Sequence, residues 1–539
     1  MAGLFVYRSR VIILAPHFTI APYMQKSKLI YELVKSLSAP EKRYINRHLK
    51  LFREETNHAE LFKALDLLEE YNPQLLKSKL GNSGAARHLD VAKVQLYDIC
   101  LRYLRSYHES SNTDVRIQAM LGECRLLINR GMQDHCRRRL GQLKVIAAKH
   151  YAFLALIEMI DIERELLLSV PVAPVLETLG KLEHEEQVLF EQFSNYRFYV
   201  WAASHAAACS LLAGSASDEE AETKLHALLK HDLLSDESKA LTFPAKRLFY
   251  YTKAFYAHAY QNYQESIQYN LLQVALLEST PVYSYETLRS LVSAMYNLLI
   301  DYYAAGMFED ALEVILRLRT LPEKLSLKPG KASFLRHKLL LRAINMEFAV
   351  LTRMGRFDSD CIEWAELDET LAMLDDGNEL AFGTDLRFSA AHFCFGAGDN
   401  KLALRYLNAI INEDAGGTRL QMQLSAYVLR LIIYRSEGES AKTYEAMLRQ
   451  ARHWMTEKKV TDNRQLLFVE FLEAEIGLEK NSPQHRQLLA GLRDKINQPL
   501  PEIEALVFDY RSWVESEWQQ KTYAEMVKQK YERGLKKLK

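Results

Sequence analysis

The chain has 539 residues and carries 69 basic and 69 acidic side chains, so it has no net field that would attract nucleic acid or an anionic membrane. Its hydrophobic content of 48% and charged content of 26% exclude an intrinsically disordered protein. Only 21 glycines and 13 prolines interrupt the chain, which favours many helices of medium length.

Residues 1–23 contain arginines followed by the apolar run VIILA. Pro16 and His17 end that run well short of the roughly 20 apolar residues that a membrane span needs, so no span is predicted. Met24 then opens a helical pattern, and we interpret residues 1–23 as an over-extended start or a disordered arm. A cleaved export signal and a short ordered arm are the alternatives.

Residues 24–110 are predicted to form an N-terminal helical bundle that caps the repeats. Ser38 and Glu41 have the spacing of a capping box, in which the serine hydroxyl accepts from a backbone N–H and the glutamate reaches back to the serine N–H. Two further apolar helical stretches follow, AELFKALDLLEEY and HLDVAKVQLYDICLRYLRSYH.

A recurring unit dominates the middle of the chain: a helical face, a turn of small residues, an aromatic or polar residue, and a second helical face. Its anchors are Tyr263, Phe308, Phe357 and Asn400, at spacings of about 45, 49 and 43 residues, which is the range expected for stacked helix pairs. We therefore predict an all-α fold, an irregular tetratricopeptide-like (TPR-like) α-solenoid of stacked antiparallel helix pairs over residues 111–500.

The units differ in a small residue that lets neighbouring helices approach. Ser266, Ala311 and Ala403 occupy that position, whereas Asp360 replaces it in the unit near Phe357. The usual tryptophan and the 34-residue period of tetratricopeptide repeats are also missing, so the array is predicted to be uneven.

Residues 501–539 are predicted to form a C-terminal capping helix with a basic end. Its apolar stripe covers the last repeat, and the cations at the end favour a helix C-terminus. A tail that binds nucleic acid or an acidic partner is the alternative. The stripe consists of Ile503, Leu506, Tyr510, Trp513 and Val514.

Three segments resemble an uncharacterised bacterial family of large TPR-like helical proteins: YELVKSLSAPEKRYINRHLKLF, ELFKALDLLEEYNPQLLKSKL and VAKVQLYDICLRYLRSYH. The C-terminal FDYRSWVESEW also resembles the ending of that family. The resemblance implies the fold and length of nearly the whole chain, and it carries no activity, ligand or catalytic residue.

No motif for catalysis or cofactor binding is evident, so no catalytic, cofactor-binding or metal-binding residue is predicted. The string from Lys328 to Ser333 lacks the upstream glycine of a phosphate-binding loop. His135 with Cys136, and His392 with Cys394, supply at most two ligands each, whereas a structural zinc site needs four.

Basic residues cluster in two places. Arg137, Arg138 and Arg139 are consecutive, so on a helix they cannot all point into one groove, and we expect one to pair across helices. The N-terminal bundle has an excess of basic residues and is the best location for an anionic partner, but it lacks a recognition helix, so nucleic-acid binding is not predicted.

Tyrosines are the best candidates for partner binding, because each combines a large contact area with a polar tip. Packing between repeats is the alternative explanation for their clustering. The candidates are Tyr256, Tyr260, Tyr263, Tyr196 and Tyr199.

The predicted function is a non-enzymatic scaffold that binds a protein or peptide segment on its concave face. The alternatives are a ligand- or peptide-responsive regulator with the N-terminal bundle as effector, and an unrecognised enzyme.

The six cysteines lie far apart in the sequence, as reduced buried thiols do, and this pattern favours a location in the cytoplasm. The sequence does not indicate an oligomeric state.

Overall fold

The structure, a computed structural model, describes most of the chain. The described residues are 28–51, 56–81, 83–110, 112–169, 174–212, 223, 226–280, 285–324, 331–358, 362–375, 380–412, 420–438, 440–458, 460, 464–497 and 508–538. Within these ranges the regular secondary structure is helical and includes no strand, which confirms the predicted all-α fold. Their contacts form two compact units, one ending at Phe198 and the other beginning at Tyr199.

The N-terminal unit begins with a six-helix bundle and continues with longer helices. Its helices are α1 (Leu29–Ser36), α2 (Ala39–Leu51), α3 (Thr56–Asp66), α4 (Pro73–Leu80), α5 (Gly84–Arg87), α6 (Leu89–Glu109), α7 (Thr113–Asn129), α8 (Gln133–Lys149), α9 (Phe153–Ser169) and α10 (Val175–Leu212). The division between the two units falls within α10.

The bundle forms because α1, α2, α3 and α6 each carry an apolar stripe that packs into one core, in which Val34, Ile45 and Leu49 are fully buried. The predicted capping box is present at the start of α2 with altered hydrogen bonding. The Ser38 N–H donates to Glu41 Oε2 at 2.7 Å, as expected, but the Ser38 hydroxyl donates to the same oxygen at 2.6 Å. His108 on α6 lies 2.6 Å from the other Glu41 oxygen, which ties α2 to α6.

The C-terminal unit consists of helices that pack mainly on their neighbours along the chain. They are α11 (Phe243–Ala259), α12 (Tyr263–Glu278), α13 (Tyr285–Ala304), α14 (Phe308–Lys324), α15 (Lys331–Met354), α16 (Trp364–Asp375), α17 (Leu380–Ala397), α18 (Asn400–Asn412), α19 (Leu420–Glu437), α20 (Ala441–Glu457), α21 (Arg464–Ala474), α22 (Pro483–Asn497), α23 (Tyr510–Gln519) and α24 (Tyr523–Leu538). The sequential packing gives a solenoid-like fold, as predicted.

The recurring unit has a common backbone geometry. Gln261, Gly306, Gly355 and Gly398 all have left-handed φ angles, of 60°, 75°, 67° and 80°. Each lies two residues before an anchor seen in the sequence. The next N–H donates to a carbonyl five residues earlier, for example Met307 to Tyr302 and Asp399 to Cys394. This is the Schellman ending of an α-helix, so each repeat turns in the same way.

The small residues predicted at the helix contacts are fully buried. Ser266, Ala311 and Ala403 each have 0% exposure. Ala311 and Ala403 belong to the apolar cores, whereas the Ser266 hydroxyl lies 2.8 Å from the Ala254 carbonyl oxygen on α11. Asp360 lies outside the described residues.

Gln261 provides a test of the turn geometry, because a side chain in the left-handed region costs roughly 1–2 kcal/mol. Gln261→Gly is expected to stabilise the α11–α12 turn by about 0.5–1 kcal/mol after the extra chain entropy of glycine is subtracted. Hydrogen exchange of the α11 and α12 amides measures this as a slower exchange rate. Gly306→Ala is the matched opposite change, and it should speed exchange in α13 and α14. Faster exchange in the Gln261→Gly variant would contradict the assigned backbone conformation.

Candidate protein-interaction site

The C-terminal helix α24 does not pack only on its neighbour α23. It also packs against α15 and α17, which precede it by more than a hundred residues. The surface it covers is formed by the ends of α13, α15 and α17 and by the turns that follow them. We call this surface the turn face, and its residues in contact with α24 are Phe308, Gly355, Phe357, His392 and Phe395.

Local sequence explains why α24 forms. Thr522 and Glu525 make a reciprocal capping box: the Thr522 N–H donates to Glu525 Oε2 at 2.8 Å, and the Glu525 N–H donates to the Thr522 hydroxyl at 3.2 Å. The apolar residues Tyr523, Met526 and Val527 follow at helical spacing and are at most 7% exposed. Their burial stabilises the docked helix by roughly 1.5–3 kcal/mol for each large side chain.

Tyr523 is the centre of the contact. Its ring stacks on Phe508 with a centroid distance of 5.3 Å and lies 5.2 Å from Phe395 and 6.0 Å from Phe357. Its hydroxyl lies 2.6 Å from His392 Nε2 on α17. The neutral imidazole nitrogen can accept a hydrogen bond from this hydroxyl, so the buried O–H group is satisfied.

Burial controls the protonation of this pair. Removal from water lowers the pKa of His392 to about 4, so the imidazole is neutral at neutral pH. The same effect raises the pKa of Tyr523 well above its usual value, so the phenol keeps its proton. A neutral acceptor and a protonated donor are the states that the hydrogen bond requires.

Two glycines permit the close approach. A Cβ atom on Gly355 would lie 2.5 Å from the Lys528 backbone nitrogen of α24. A Cβ atom on Gly396 would lie 2.1 Å from the Phe357 ring, which itself contacts Tyr523. These distances are too short for any residue with a side chain. The close packing of α24 on the turns therefore requires glycine at both positions.

Charged groups hold the two C-terminal helices together. Asp509 begins α23 by accepting from the Ser512 N–H at 3.1 Å, and Lys530 of α24 donates to the same carboxylate at 2.6 Å. Burial opposes ionisation of Asp509, but the Lys530 ammonium and the Ser512 hydrogen bonds outweigh it and hold its pKa below the usual range.

The α11–α12 turn adjoins this surface through a buried polar cluster. Asp301 of α13 is 1% exposed, and its carboxylate lies 2.5 Å from His258 Nδ1 and accepts from Asn270 Nδ2 at 2.7 Å. Its second oxygen also lies 2.5 Å from the Ser266 hydroxyl. Asp301 therefore joins the end of α11 and the start of α12 to the next helix pair.

Three of the predicted partner-binding tyrosines lie at this turn, in different environments. Tyr256 is 3% exposed and stacks on Tyr260 at a centroid distance of 5.4 Å. Tyr260 is 42% exposed, and its hydroxyl lies 3.0 Å from His226 Nε2. Tyr263 is half-buried with its ring against His258. Of the three, Tyr260 presents the largest accessible aromatic surface.

The other two tyrosines pack inward on α10. Tyr196 is half-buried, and its ring lies 5.8 Å from Phe153 in the N-terminal unit. Tyr199, in the C-terminal unit, is fully buried and donates its hydroxyl proton to the Leu233 carbonyl at 2.6 Å. The Tyr199 ring also lies 6.2 Å from the ring of Phe249 on α11.

The two close His/Cys pairs have other contacts. Cys136 is buried and its Sγ lies 3.5 Å from the Cys124 carbonyl oxygen, while His135 is exposed. Cys394 is buried in the apolar core, and His392 contacts Tyr523. Over the described ranges, no three His, Cys, Asp or Glu side chains group in a way that could hold a metal ion.

Several predictions fall outside the described residues, including residues 1–23, the string from Lys328 to Gly330, and Pro501 to Val507. Within the part that the structure describes, no helix combines the length and the apolar character required to cross a membrane.

Sequence reasoning missed the contact of α24 with the turn face. The segment predicted as one capping helix contains two helices, separated by Gln520 in the left-handed conformation with φ of 56°. The capping-box pair Thr522 and Glu525 was the signal that could have located the second helix.

No protein-family model and no curated protein sequence matches this chain.

Proposed function

We propose that this protein is a non-enzymatic helical-repeat scaffold that binds a helical protein segment at the turn face of its C-terminal unit. The observation that carries the proposal is α24 itself, an amphipathic helix that lies across three successive repeat turns. Binding an amphipathic helix through apolar anchors is a common mode of protein recognition. The turn face, rather than the predicted concave face, is the surface that these contacts favour.

The proposed binding surface includes the α11–α12 turn, which adjoins the turn face through Asp301. This turn has the same Schellman geometry as the turns that contact α24. Asp301 of α13 connects it to the next helix pair, α13 and α14. Tyr260 exposes 42% of its surface there, on a ring already fixed by stacking on Tyr256. A partner with an apolar helical face would bury this ring without the entropy cost of immobilising a long flexible side chain.

The buried charges of the C-terminal unit support a structural role over a catalytic one. Asp301 and Asp509 each receive hydrogen bonds from neighbouring helices. Glu475 lies between Arg435 and His485, at 3.4 Å from His485 Nε2, and links α19, α21 and α22. In each case the carboxylate is already occupied by the groups that it holds together.

The proposed location is the cytoplasm. Cys100, Cys124, Cys136 and Cys394 are buried, unpaired thiols, and burial raises the pKa of each of them. Such thiols suit a reducing compartment. Protein or peptide partners are proposed in preference to nucleic acid, because the chain has no net positive charge.

Site-specific photo-cross-linking in the full chain tests the proposal. Benzoylphenylalanine at position 260 is expected to form adducts with a protein partner in the native cells. The same group at Leu316, an α14 residue that is 63% exposed, is the matched control and should not form those adducts.

A substitution provides the second readout. Tyr260→Ser should lower recovery of the cross-linked partner by a tagged full chain about tenfold or more, as expected for loss of an aromatic anchor. Leu316→Ser should leave recovery unchanged. Equal adducts at both positions, or no protein adduct at position 260, would rule out the α11–α12 turn as the binding surface.

A further inference from the structure

A cleft of about 450 Å³ lies between α7 and α8 of the N-terminal unit. The two helices are joined by a short turn in which Gly131 has a left-handed φ of 71°. The Met132 N–H donates to the Leu127 carbonyl across this turn at 2.9 Å, so the helix pair is held in the same way as the repeats. The cleft is lined by Glu123, Leu126, Leu127, Arg130, Met132, His135, Arg138, Arg139 and Gln142.

The charges in the cleft are unbalanced. Arg139 donates to Glu123 Oε2 at 2.5 Å, and this ion pair uses the carboxylate that lines the cleft. Arg130 and Arg138 are exposed, and within the described part of the chain neither forms an ion pair. Two guanidinium groups are therefore available for an anionic ligand.

The arginine triplet explains how this arrangement arises. Arg137 turns away from the cleft, where it donates to Asp134 at 3.1 Å and to the Leu166 carbonyl of α9 at 3.2 Å. Arg139 pairs across to α7, as the sequence predicted for one member of the triplet. Arg138, between them, has neither contact and lines the cleft.

Apolar side chains lie beside the free guanidinium groups. Leu126 is 62% exposed and Met132 is 39% exposed, and both line the same cleft. Covering them would release water from apolar surface, at roughly 25 cal/mol for each Å². Methionine adapts its shape to different partners.

We propose that the α7–α8 cleft binds a short acidic protein segment that carries apolar side chains between its carboxylates. Arginine binds carboxylates in a bidentate manner, and Leu126 and Met132 cover the apolar side chains of the ligand. The volume lies within the range of ligand pockets, about 300–1,000 Å³, so the cleft accommodates a motif of a few residues.

The composition of the cleft disfavours other anions. Tight nucleic-acid binding uses about 6–10 phosphate contacts, many more than two arginines provide, and phosphate has no group to cover Leu126 and Met132. Because the whole chain has no net charge, attraction of the ligand is local and is screened over about 8 Å at physiological salt.

Fluorescence anisotropy with the full-length protein tests this site, with the fluorescein-labelled peptide GEELLEEG as probe. We expect saturable binding that weakens as the salt concentration rises. GQQLLQQG, which lacks the carboxylates, and GEESSEEG, which lacks the leucines, should each bind at least about fivefold more weakly. A single-stranded oligonucleotide should not compete.

The variants identify the binding surface. The double substitution Arg130→Ser with Arg138→Ser should weaken binding of GEELLEEG at least about fivefold, and Leu126→Ser should weaken it severalfold. Arg43→Ser with Arg47→Ser is the matched control, because it also removes two exposed arginines, here from α2. All these side chains are exposed, so circular dichroism should show unchanged helix content.

Three results would overturn the proposal: no binding of GEELLEEG at millimolar concentration, equal binding of the glutamine peptide, or equal weakening by the two double substitutions. Competition by the oligonucleotide would assign the cleft to a polyanion instead. None of these results bears on cross-linking at Tyr260, so the cleft and the turn face are tested separately.

Discussion

Replacement of Gly355 by alanine is expected to release α24 from the turn face. The new Cβ atom would lie 2.5 Å from the Lys528 backbone nitrogen, and φ at this position is 67°. Backbone strain contributes roughly 1–2 kcal/mol, and separation of α24 exposes Tyr523, Met526 and Val527, each worth roughly 1.5–3 kcal/mol. We expect hydrogen exchange of the α24 amides to speed up at least about a hundredfold, since about 3 kcal/mol of protection is lost.

Gly306 and Gly398 provide matched controls. Both have left-handed φ angles, of 75° and 80°, but a Cβ atom at either position meets no heavy atom within 4 Å. Gly306→Ala and Gly398→Ala should therefore introduce the backbone strain alone and leave α24 protected. If Gly355→Ala affects α24 no more than these controls do, then α24 does not rest on the α15 turn.

Acid is expected to loosen the same helix. His392 is buried against Tyr523 with a pKa of about 4, compared with 6.5 in the unfolded chain. Between these values the unfolded or undocked state binds a proton that the docked state cannot bind. Docking is therefore unaffected above a pH of about 6.5 and weakens as pH falls towards 4. The total loss is about 3 kcal/mol, from about 1.4 kcal/mol for each unit of pKa shift.

Two neighbouring charges shift the pKa of His392 in opposite directions. Asp509 favours protonation of His392, whereas Arg353 opposes it. Asp509 has a lowered pKa, so its own contribution to stability is present at neutral pH and is lost as pH falls through that value. Both His392 and Asp509 therefore destabilise the docked helix in acid, but His392 acts first, below a pH of about 6.5.

Hydrogen exchange of α24 at several pH values, corrected for the intrinsic rate, measures this effect. The loss of protection between pH values of about 6.5 and 4.5 should be much smaller in His392→Gln, which keeps an acceptor for Tyr523 but does not titrate. His453→Gln, at an exposed site on α20, is the control and should behave like the unchanged protein. An identical pH dependence in all three proteins would exclude His392 as the acid-sensitive group.

The sequence was sufficient for the helix pairs because their signals are local. Gly306, Gly355 and Gly398 mark left-handed turns that favour glycine, and Ala311 and Ala403 mark close helix contacts. These features lie within a few residues of each other, so a single unit reveals them. Gln261 has the same backbone conformation without glycine, and only the aromatic anchor that follows it revealed the turn.

The packing of α24 on the turn face could not be predicted, because the residues that make the contacts are far apart in the sequence. Tyr523 and His392 are separated by 131 residues, and neither lies in a motif that specifies a partner. α23 ends just before Gln520, and no glycine or proline at this position indicates that one helix ends and another begins. Likewise, Tyr199 and Tyr260 share a residue type, but only burial distinguishes a core side chain from an exposed one.

The distance in sequence between α24 and the turn face has a consequence for biosynthesis. The surface is complete in the nascent chain once Gly396 has emerged, whereas its occupant begins at Tyr523. At about 5–20 residues per second, translation leaves Phe357 and Phe395 without their covering helix for roughly 6–25 seconds. During that interval the nascent chain exposes an apolar surface that the finished protein conceals, which is a condition that favours aggregation.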